Sequence, residues 1–161
     1  MRNYVERAKD FIHQIFPYLK NCNCHEVRKI SVLQFNIDYH RRVEYNHGQS
    51  RYALATSDYV VKVDYRDSLW GNSEDEMEVY KLAEQDGFAY LFAKITPYEY
   101  EGIHFYIMPR IYGVGRYEED ADTFMTSEEA DWCYDHVNDL HFHNYGWKNG
   151  RVVVFDYASR C

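Results

Sequence analysis

Three side chains that carry oxygen atoms, Asp139, Asn144 and Asp156, lie close together in the segment DLHFHNYGWKNGRVVVFDYAS. The dipeptide Asn149–Gly150 within it is a strong signal for a β-hairpin, and a two-residue turn there fixes which residues face each other. Continuing that register places Asn144 opposite Phe155, one residue before Asp156. Asp139 precedes Asn144 closely enough to reach the same place. Because hard oxygen ligands suit Mg²⁺, the segment predicts a magnesium site at the open end of the hairpin.

Histidines in the same segment allow a second interpretation. His141 and His143 are two residues apart, a spacing that places both side chains on one side of an extended chain. With Asp139 and His136 they could bind zinc in a hydrolase. The segment Cys22–His25 could likewise supply half of a zinc site, although it lacks the usual two-residue spacer. The simpler interpretation is that the two histidines are loop residues that form hydrogen bonds with the backbone.

Three helices are predicted from apolar residues at helical spacing and from capping residues. Pro17 disturbs or ends the first helix, because proline lacks a backbone N–H. Ser73 and Glu76 form a capping box for the second helix. Thr126 and Glu129 form another for the third. The predicted helices cover residues 3–20, 73–87 and 126–138.

Strands are predicted between these helices. They cover residues 28–38, 51–65, 91–95 and 103–108, and the second range is two strands joined by a turn at Thr56–Asp58. The predicted fold class is therefore α+β. We expect a mostly antiparallel sheet with one helix packed across it, followed by a short helix, a loop and the hairpin.

The composition limits the classes of protein to which the chain can belong. Hydrophobic residues make up 46% of the 161 residues and aromatic residues 18%, which indicates a folded domain. The net charge of −8 disfavours a nucleic-acid binder, which needs a basic surface, and suits a basic protein partner. No apolar run is long enough for a transmembrane helix, and the charged N-terminal segment differs from a signal peptide. We therefore expect a cytoplasmic protein with no membrane contact, whose four cysteines stay reduced.

The order of these features resembles that of the protein-kinase-like superfamily, above all its small bacterial, phage and aminoglycoside-kinase-like branches. The segment DLHFHN, followed by VVVFDYA, is similar to the catalytic loop and the metal-binding aspartate of that family. YVVKV resembles the strand that carries a phosphate-binding lysine, and FYIMPRI resembles the strand that leads into an adenine-binding hinge. The resemblance covers roughly residues 48–159, and the motifs occur in the family's order.

The resemblance implies a role for each residue of the C-terminal motif. Asp139 would orient or deprotonate an acceptor hydroxyl, and Asn144 and Asp156 would hold Mg²⁺ on the phosphates of ATP. Catalysis of this kind rests on positioning and charge stabilisation, for which these residue types are suited. Gly48, in the segment HGQSRYAL, is the one glycine left of the family's phosphate-binding loop.

The resemblance also implies nucleotide contacts from the N-terminal part. Lys62 would neutralise phosphate charge, and Glu76 would fix its rotamer through an ion pair, with Glu78 as the alternative partner. Without the other motifs, Lys62 could equally be a solvated residue of an edge strand. Met108 would be the gatekeeper, and Pro109 to Ile111 would offer backbone groups to the adenine.

The implied architecture is a protein-kinase-like N-lobe with a vestigial C-terminal lobe. We expect a single domain over residues 1–161. It would consist of an N-terminal extension of helix and strand (1–47), an N-lobe with its hinge (48–111) and a reduced C-lobe (112–161). Val137 and Asn138 stand where the family usually has His-Arg or His-Gly, and Ala158 stands where it has glycine.

Two functions remain open at this point. The first is a Mg²⁺–ATP-dependent phosphotransferase, by analogy a phage protein that acts on a host protein or on a small-molecule hydroxyl. The second is a catalytically weak pseudokinase that binds and modulates a partner protein. A homo-oligomer is compatible with either, because a reduced C-lobe leaves apolar surface uncovered. A third option, an acidic mimic of DNA, is supported by the charge alone.

Overall fold

A computed structural model describes residues 2–65, 73–137 and 139–157 of the chain. The chain forms two compact units. One consists of Met1–Ser68 and Thr96–Arg110, and the other consists of Leu69–Ile95 and Ile111–Cys161. Both units are discontinuous in sequence, because the chain passes from the first unit to the second, returns to the first and then enters the second again.

The first unit opens with helix α1 (Tyr4–Leu19). Asn3 caps it, because its side chain accepts a hydrogen bond of 2.9 Å from the backbone N–H of Glu6. Pro17 lies in the last turn, where the loss of one backbone hydrogen bond disturbs little of the helix. The predicted helix is therefore confirmed, and it ends close to the proline. Its buried stripe consists of Ala8, Phe11, Ile12, Ile15 and Leu19.

The strand predicted at residues 28–38 is wrong, because this segment forms helix α2 (His25–Tyr39). The buried residues of α2, Val32 and Phe35, are three positions apart, which is the spacing of a helix and not the alternation of a strand. His40 ends the helix in the left-handed conformation, with φ of 52°. Further apolar residues on the exposed side of α2 obscured the helical period in the sequence.

Five antiparallel strands complete the first unit and pair in the order β1-β2-β3-β5-β4. The two strands predicted within residues 51–65 and the strand predicted at 103–108 are confirmed. The strands are β1 (Glu44–His47), β2 (Arg51–Ala55), β3 (Tyr59–Asp64), β4 (Thr96–Tyr100) and β5 (Ile103–Pro109).

One face of this sheet packs against α1 and forms the core of the unit. Leu54, Val61 and Ile107 are fully buried there, together with Phe11 of α1. Successive residues of a strand point to opposite faces. The neighbours of these core residues, Lys62 among them, therefore belong to the other face of the sheet.

The second unit is built from short elements. The strand predicted at residues 91–95 is wrong, because a 3-10 turn (Ala89–Leu91) precedes a single parallel bridge between Phe92 and Val154. The helices predicted at residues 73–87 and 126–138 are confirmed as helices, and none of the helices in the described ranges is long and apolar enough to cross a membrane. The remaining elements are α3 (Ser73–Asp86), a 3-10 turn (Ala121–Phe124), α4 (Ser127–His136), β6 (Tyr145–Lys148) and β7 (Arg151–Val154).

Candidate functional site

The β6–β7 hairpin has the predicted turn and register. Asn149 and Gly150 both have positive φ, 52° and 75°, as a type I′ turn requires. Lys148 pairs with Arg151 across the turn, and the ladder continues to the far end of β6. The turn therefore sets the register along the whole hairpin.

The ladder continues one step beyond the two strands. The backbone N–H of Phe155 donates to the carbonyl oxygen of Asn144 at 3.0 Å. Asn144 and Phe155 are therefore opposite each other, as the sequence predicts, and Asp156 is the next residue. Tyr157 follows, fully buried, and its hydroxyl donates to the carbonyl oxygen of Ala93 at 2.6 Å. Sequence reasoning missed this anchor of the segment that carries Asp156.

The loop between α4 and β6 folds back on itself through short-range hydrogen bonds. The Asp139 carboxylate accepts the backbone N–H of His141 at 2.9 Å, and the His141 carbonyl accepts the backbone N–H of Asn144 at 2.8 Å. The Asn144 side-chain nitrogen donates to the Asp139 carbonyl at a longer 3.5 Å. The loop thus places Asp139 and Asn144 beside each other, and the amide nitrogen, which cannot bind Mg²⁺, is the atom turned toward Asp139.

The loop and hairpin are tied to the rest of the second unit at several points. The backbone N–H of Ala121 donates to the Leu140 carbonyl at 2.7 Å. The Tyr145 hydroxyl donates to the Glu119 carbonyl at 2.6 Å. Burial, aided by the charges of Glu119 and Asp120, raises the pKa of Tyr145, so its hydroxyl stays a donor. These contacts attach the loop that carries Asp139 and Asn144 to the segment before α4.

Gly146 permits a close approach of two chain segments in the same unit. A Cβ atom at this position would lie 2.4 Å from the carbonyl oxygen of Tyr112 and 2.7 Å from the Ile111 side chain. That carbonyl accepts the backbone N–H of Trp147 at 2.7 Å. Only glycine therefore lets β6 pair with the segment that follows the predicted hinge.

The loop histidines behave as the simpler interpretation predicts. The Nδ1 atom of His141 accepts the backbone N–H of His143 at 3.3 Å. The rings of these two residues lie 5.0 Å apart, centroid to centroid. Across the described part of the chain, no three His, Cys, Asp or Glu side chains gather as ligands for a metal ion.

Asn144 and Asp156 fit Mg²⁺ as a donor set of one amide and one carboxylate. Mg²⁺ commonly binds through one or two protein oxygens and fills its remaining positions with water and phosphate oxygens. Asp156 is half-buried, so part of the residue is in contact with solvent. The two donors predicted from the sequence thus both lie at the open end of one hairpin.

In the first unit, Lys62 occupies the sheet face opposite α1. It pairs with Ala53 on one side and with Tyr106 on the other. Met108, the predicted gatekeeper, belongs to the same face two residues farther along β5, and its side chain is 1% exposed. Lys62 is 6% exposed, so it is not the solvated residue of an edge strand.

The segment after β5 is held by Arg110, a residue that sequence reasoning missed. Its guanidinium donates to the Thr56 carbonyl at 2.9 Å and to the Glu44 carboxylate at 3.0 Å. Its backbone N–H donates to the Asp58 carbonyl at 3.0 Å. The predicted adenine-binding segment, Pro109 to Ile111, is therefore fixed to the β2–β3 turn, and the Arg110 N–H is already used. The partners are too distant in sequence for any local pattern to reveal them.

The other residues predicted to contact the nucleotide lie on separate elements. Glu76 is fully buried on α3, and Glu78, its alternative, is exposed. Burial favours Glu76 as the carboxylate with a structural or catalytic role, and its ion pair with Lys62 stays a prediction. Gly48 lies in the exposed turn between β1 and β2, where its N–H donates to the Arg51 carbonyl at 2.8 Å.

Comparisons with known proteins give limited similarity. No family model matches the chain, and no curated protein matches it. Among solved structures, the chain is similar to WbdD, crystallised with the kinase inhibitor LY294002, at 14% identity and a TM-score of 0.39, over 71% of this chain and 32% of that one. It is also similar to APH(2")-IIa in a ternary complex with streptomycin and ATP, at 20% identity and a TM-score of 0.36, over 84% of this chain and 38% of that one. The chain thus spans about a third of the length of each.

Proposed function

We propose that this chain is a Mg²⁺–ATP-dependent phosphotransferase of the protein-kinase-like type. The observation that carries the proposal is the arrangement of Asp139, Asn144 and Asp156. The loop hydrogen bond joins the first two, and the hairpin ladder pairs Asn144 with Phe155, the residue before Asp156. Such an arrangement supplies two oxygen ligands for a cation and a separate carboxylate.

Each residue has one task in this proposal. Asn144 and Asp156 bind Mg²⁺, which neutralises charge on the nucleotide phosphates. Asp139, which is exposed, orients the acceptor hydroxyl and accepts its proton. Lys62 binds phosphate oxygens, and Glu76 holds the lysine in position.

The adenine would be bound by the segment after β5. Pro109 has no backbone N–H, and the N–H of Arg110 is donated to Asp58. The Pro109 carbonyl and the Ile111 N–H are therefore the backbone groups that we assign to the adenine. Met108, which precedes this segment, would be the gatekeeper.

Thermal unfolding with nucleotide tests the proposal. A ligand that binds only the folded state stabilises it by about 2.7 kcal/mol at about 100 times its dissociation constant. We expect Mg²⁺–ATP to raise the melting temperature, and ATP with a chelator or Mg²⁺ alone to raise it less. Phosphate transfer or ATP hydrolysis is then measured under the same conditions. If millimolar ATP gives no shift with any of several divalent cations, the chain is better described as a kinase-like module that binds a protein partner.

A further inference from the structure

Helix α2 exposes an apolar face to water. This face, which we call the α2 apolar face, is made of four aliphatic residues along one side of the helix. They are Val27 (42% exposed), Ile30 (66%), Leu33 (54%) and Ile37 (67%). The opposite side of α2 packs in the core of its own unit, through Val32 and Phe35.

The spacing of these residues is that of a helix that packs on another helix. Val27 and Ile30 occupy the first and fourth positions of a seven-residue repeat, and in the next repeat the exposed Gln34 and Ile37 occupy the same two positions. Leu33 lies beside this seam. The second face of α2 is therefore patterned for a partner helix, in addition to the face that packs in the core.

The area of the α2 apolar face fits a second copy of this chain. The four side chains leave roughly 400 Å² of aliphatic surface in water, which is within the range of functional patches on monomers. Two copies that cover each other's face remove roughly 800 Å² of it. The flanking polar side chains need to add only roughly 200 Å² for the contact to reach about 1,000 Å², where specific interfaces begin.

The helix dipoles favour an antiparallel arrangement of the two helices, because the positive end of each helix then lies beside the negative end of the other. With a two-fold axis between Leu33 and Gln34, Ile30 of one copy lies level with Ile37 of the second copy. A parallel arrangement would instead set Ile30 level with Ile30 and Ile37 level with Ile37.

We propose that the chain forms a two-fold symmetric homodimer through the α2 apolar face, with the two α2 helices antiparallel. This inference does not depend on the proposed function, because it involves no residue assigned to nucleotide or metal. An isologous contact of this kind closes on itself and leaves no further face to extend the assembly.

Sedimentation velocity of the full chain at a series of micromolar concentrations tests the dimer. We expect the wild type to dimerise and Leu33→Glu to raise the dissociation constant by at least about 100-fold, because the symmetry buries the charge on both copies. Leu82→Glu is the matched control, since Leu82 is 42% exposed on α3, and it should dimerise as the wild type does. Near-UV circular dichroism checks that both variants are folded.

A compensating pair of substitutions tests the orientation. Ile30→Glu and Ile37→Lys should each weaken the dimer. The double variant should dimerise more tightly than either single variant, because the carboxylate introduced on one copy then lies level with the ammonium group introduced on the other. A double variant weaker than both single variants overturns the antiparallel arrangement. A wild type that stays monomeric, or a Leu33→Glu variant that dimerises unchanged, overturns the interface and leaves this face to a different protein.

Discussion

The backbone N–H of Phe155 lies 3.0 Å from the carbonyl oxygen of Asn144 and donates to it. This bond extends the β6–β7 ladder past its last strand pair, Tyr145 and Val154. The two-residue turn at the other end of the hairpin thereby determines that Phe155 faces Asn144, and Asp156 is the next residue in the chain. The separation of Asp139 on the loop from Asp156 on the hairpin gives the two carboxylates different expected tasks.

Substitution of the two carboxylates should separate binding from chemistry. Asp156→Ala should abolish Mg²⁺-dependent nucleotide binding, because it removes the one carboxylate of the proposed metal site. Asp139→Asn should keep binding nearly intact and lose turnover, because it removes a group that acts mainly in the transition state. Calorimetric titration with ATP, with and without Mg²⁺, and an assay of phosphate transfer measure the two effects.

Two outcomes would contradict this assignment. If both variants bind nucleotide as tightly as the wild type, the metal site lies elsewhere. If the wild type binds nucleotide without turnover and Asp139→Asn keeps the full biological effect, the chain acts as a pseudokinase.

Lys62→Met should weaken ATP binding by about 10-fold or more, because a charge-assisted contact to phosphate contributes about 1.5–3 kcal/mol. Methionine keeps most of the buried stem of Lys62, which is 6% exposed. Lys94→Met removes an exposed lysine and should leave the affinity unchanged. Calorimetry measures both, and equal affinity in the two variants would remove Lys62 from the phosphate site.

Gly146→Ala should lower the free energy of unfolding by about 2–4 kcal/mol, the range of steric overpacking and lost backbone pairing. The added Cβ would lie 2.4 Å from a backbone oxygen of Tyr112, which cannot move without breaking its bond to Trp147. Gly48→Ala is the control, because the nearest atom to its added Cβ is 3.9 Å away. Chemical denaturation followed by tryptophan fluorescence gives both values, and an unchanged stability of Gly146→Ala would refute the close approach.

His25 should make the stability of the fold depend on pH. Its ring stacks on that of His47 at 3.8 Å and contacts the Tyr45 hydroxyl at 2.9 Å. Burial, followed by the charges of His47 and Arg28, lowers the pKa of His25 below its ordinary value. The folded state then binds fewer protons than the unfolded state once the pH falls below about 6.5. The contribution of His25 to the free energy of unfolding is complete above that pH and is lost as the pH falls toward the lowered pKa of His25.

The measurement is the melting temperature of wild type and of His25→Gln between about pH 7.5 and about pH 5.5. Wild type should lose more stability over this interval than His25→Gln, whose side chain does not titrate. His13→Gln is a suitable control, because His13 stacks on Tyr100 away from this cluster. Parallel pH curves for wild type and His25→Gln would show that His25 makes no contribution.

Local signals made the hairpin and two capped helices predictable from the sequence. The Asn149–Gly150 turn depends on two adjacent residues, and the capping box of Thr126 and Glu129 forms both of its hydrogen bonds. The register of Asn144 follows from the turn by counting alone. The pairing of Asn144 with Phe155 was thus predictable without any long-range contact.

Features that depend on distant partners were not predictable in this way. Residues 91–95 are mostly apolar, yet Leu91 belongs to a 3-10 turn and the backbone N–H of Ala93 donates to the Val154 carbonyl, far along the chain. The interactions of Arg110 with Glu44 and Thr56 likewise join remote residues. For α2, apolar residues on two sides of one helix produced a pattern that a strand also produces.

The discontinuity of the first unit has a consequence for synthesis on the ribosome. β3 pairs with β2 as soon as both have emerged, but its other neighbour, β5, follows only after α3 and β4. Until then the backbone groups of β3 that will pair with β5 have no partner strand. β3 is also apolar, since it contains Val60, Val61 and Val63. Open apolar edges recruit other strands, and pairing across a long loop is slow. Nascent or truncated chains that stop short of Ile103 should therefore be the species most prone to aggregate and to engage chaperones.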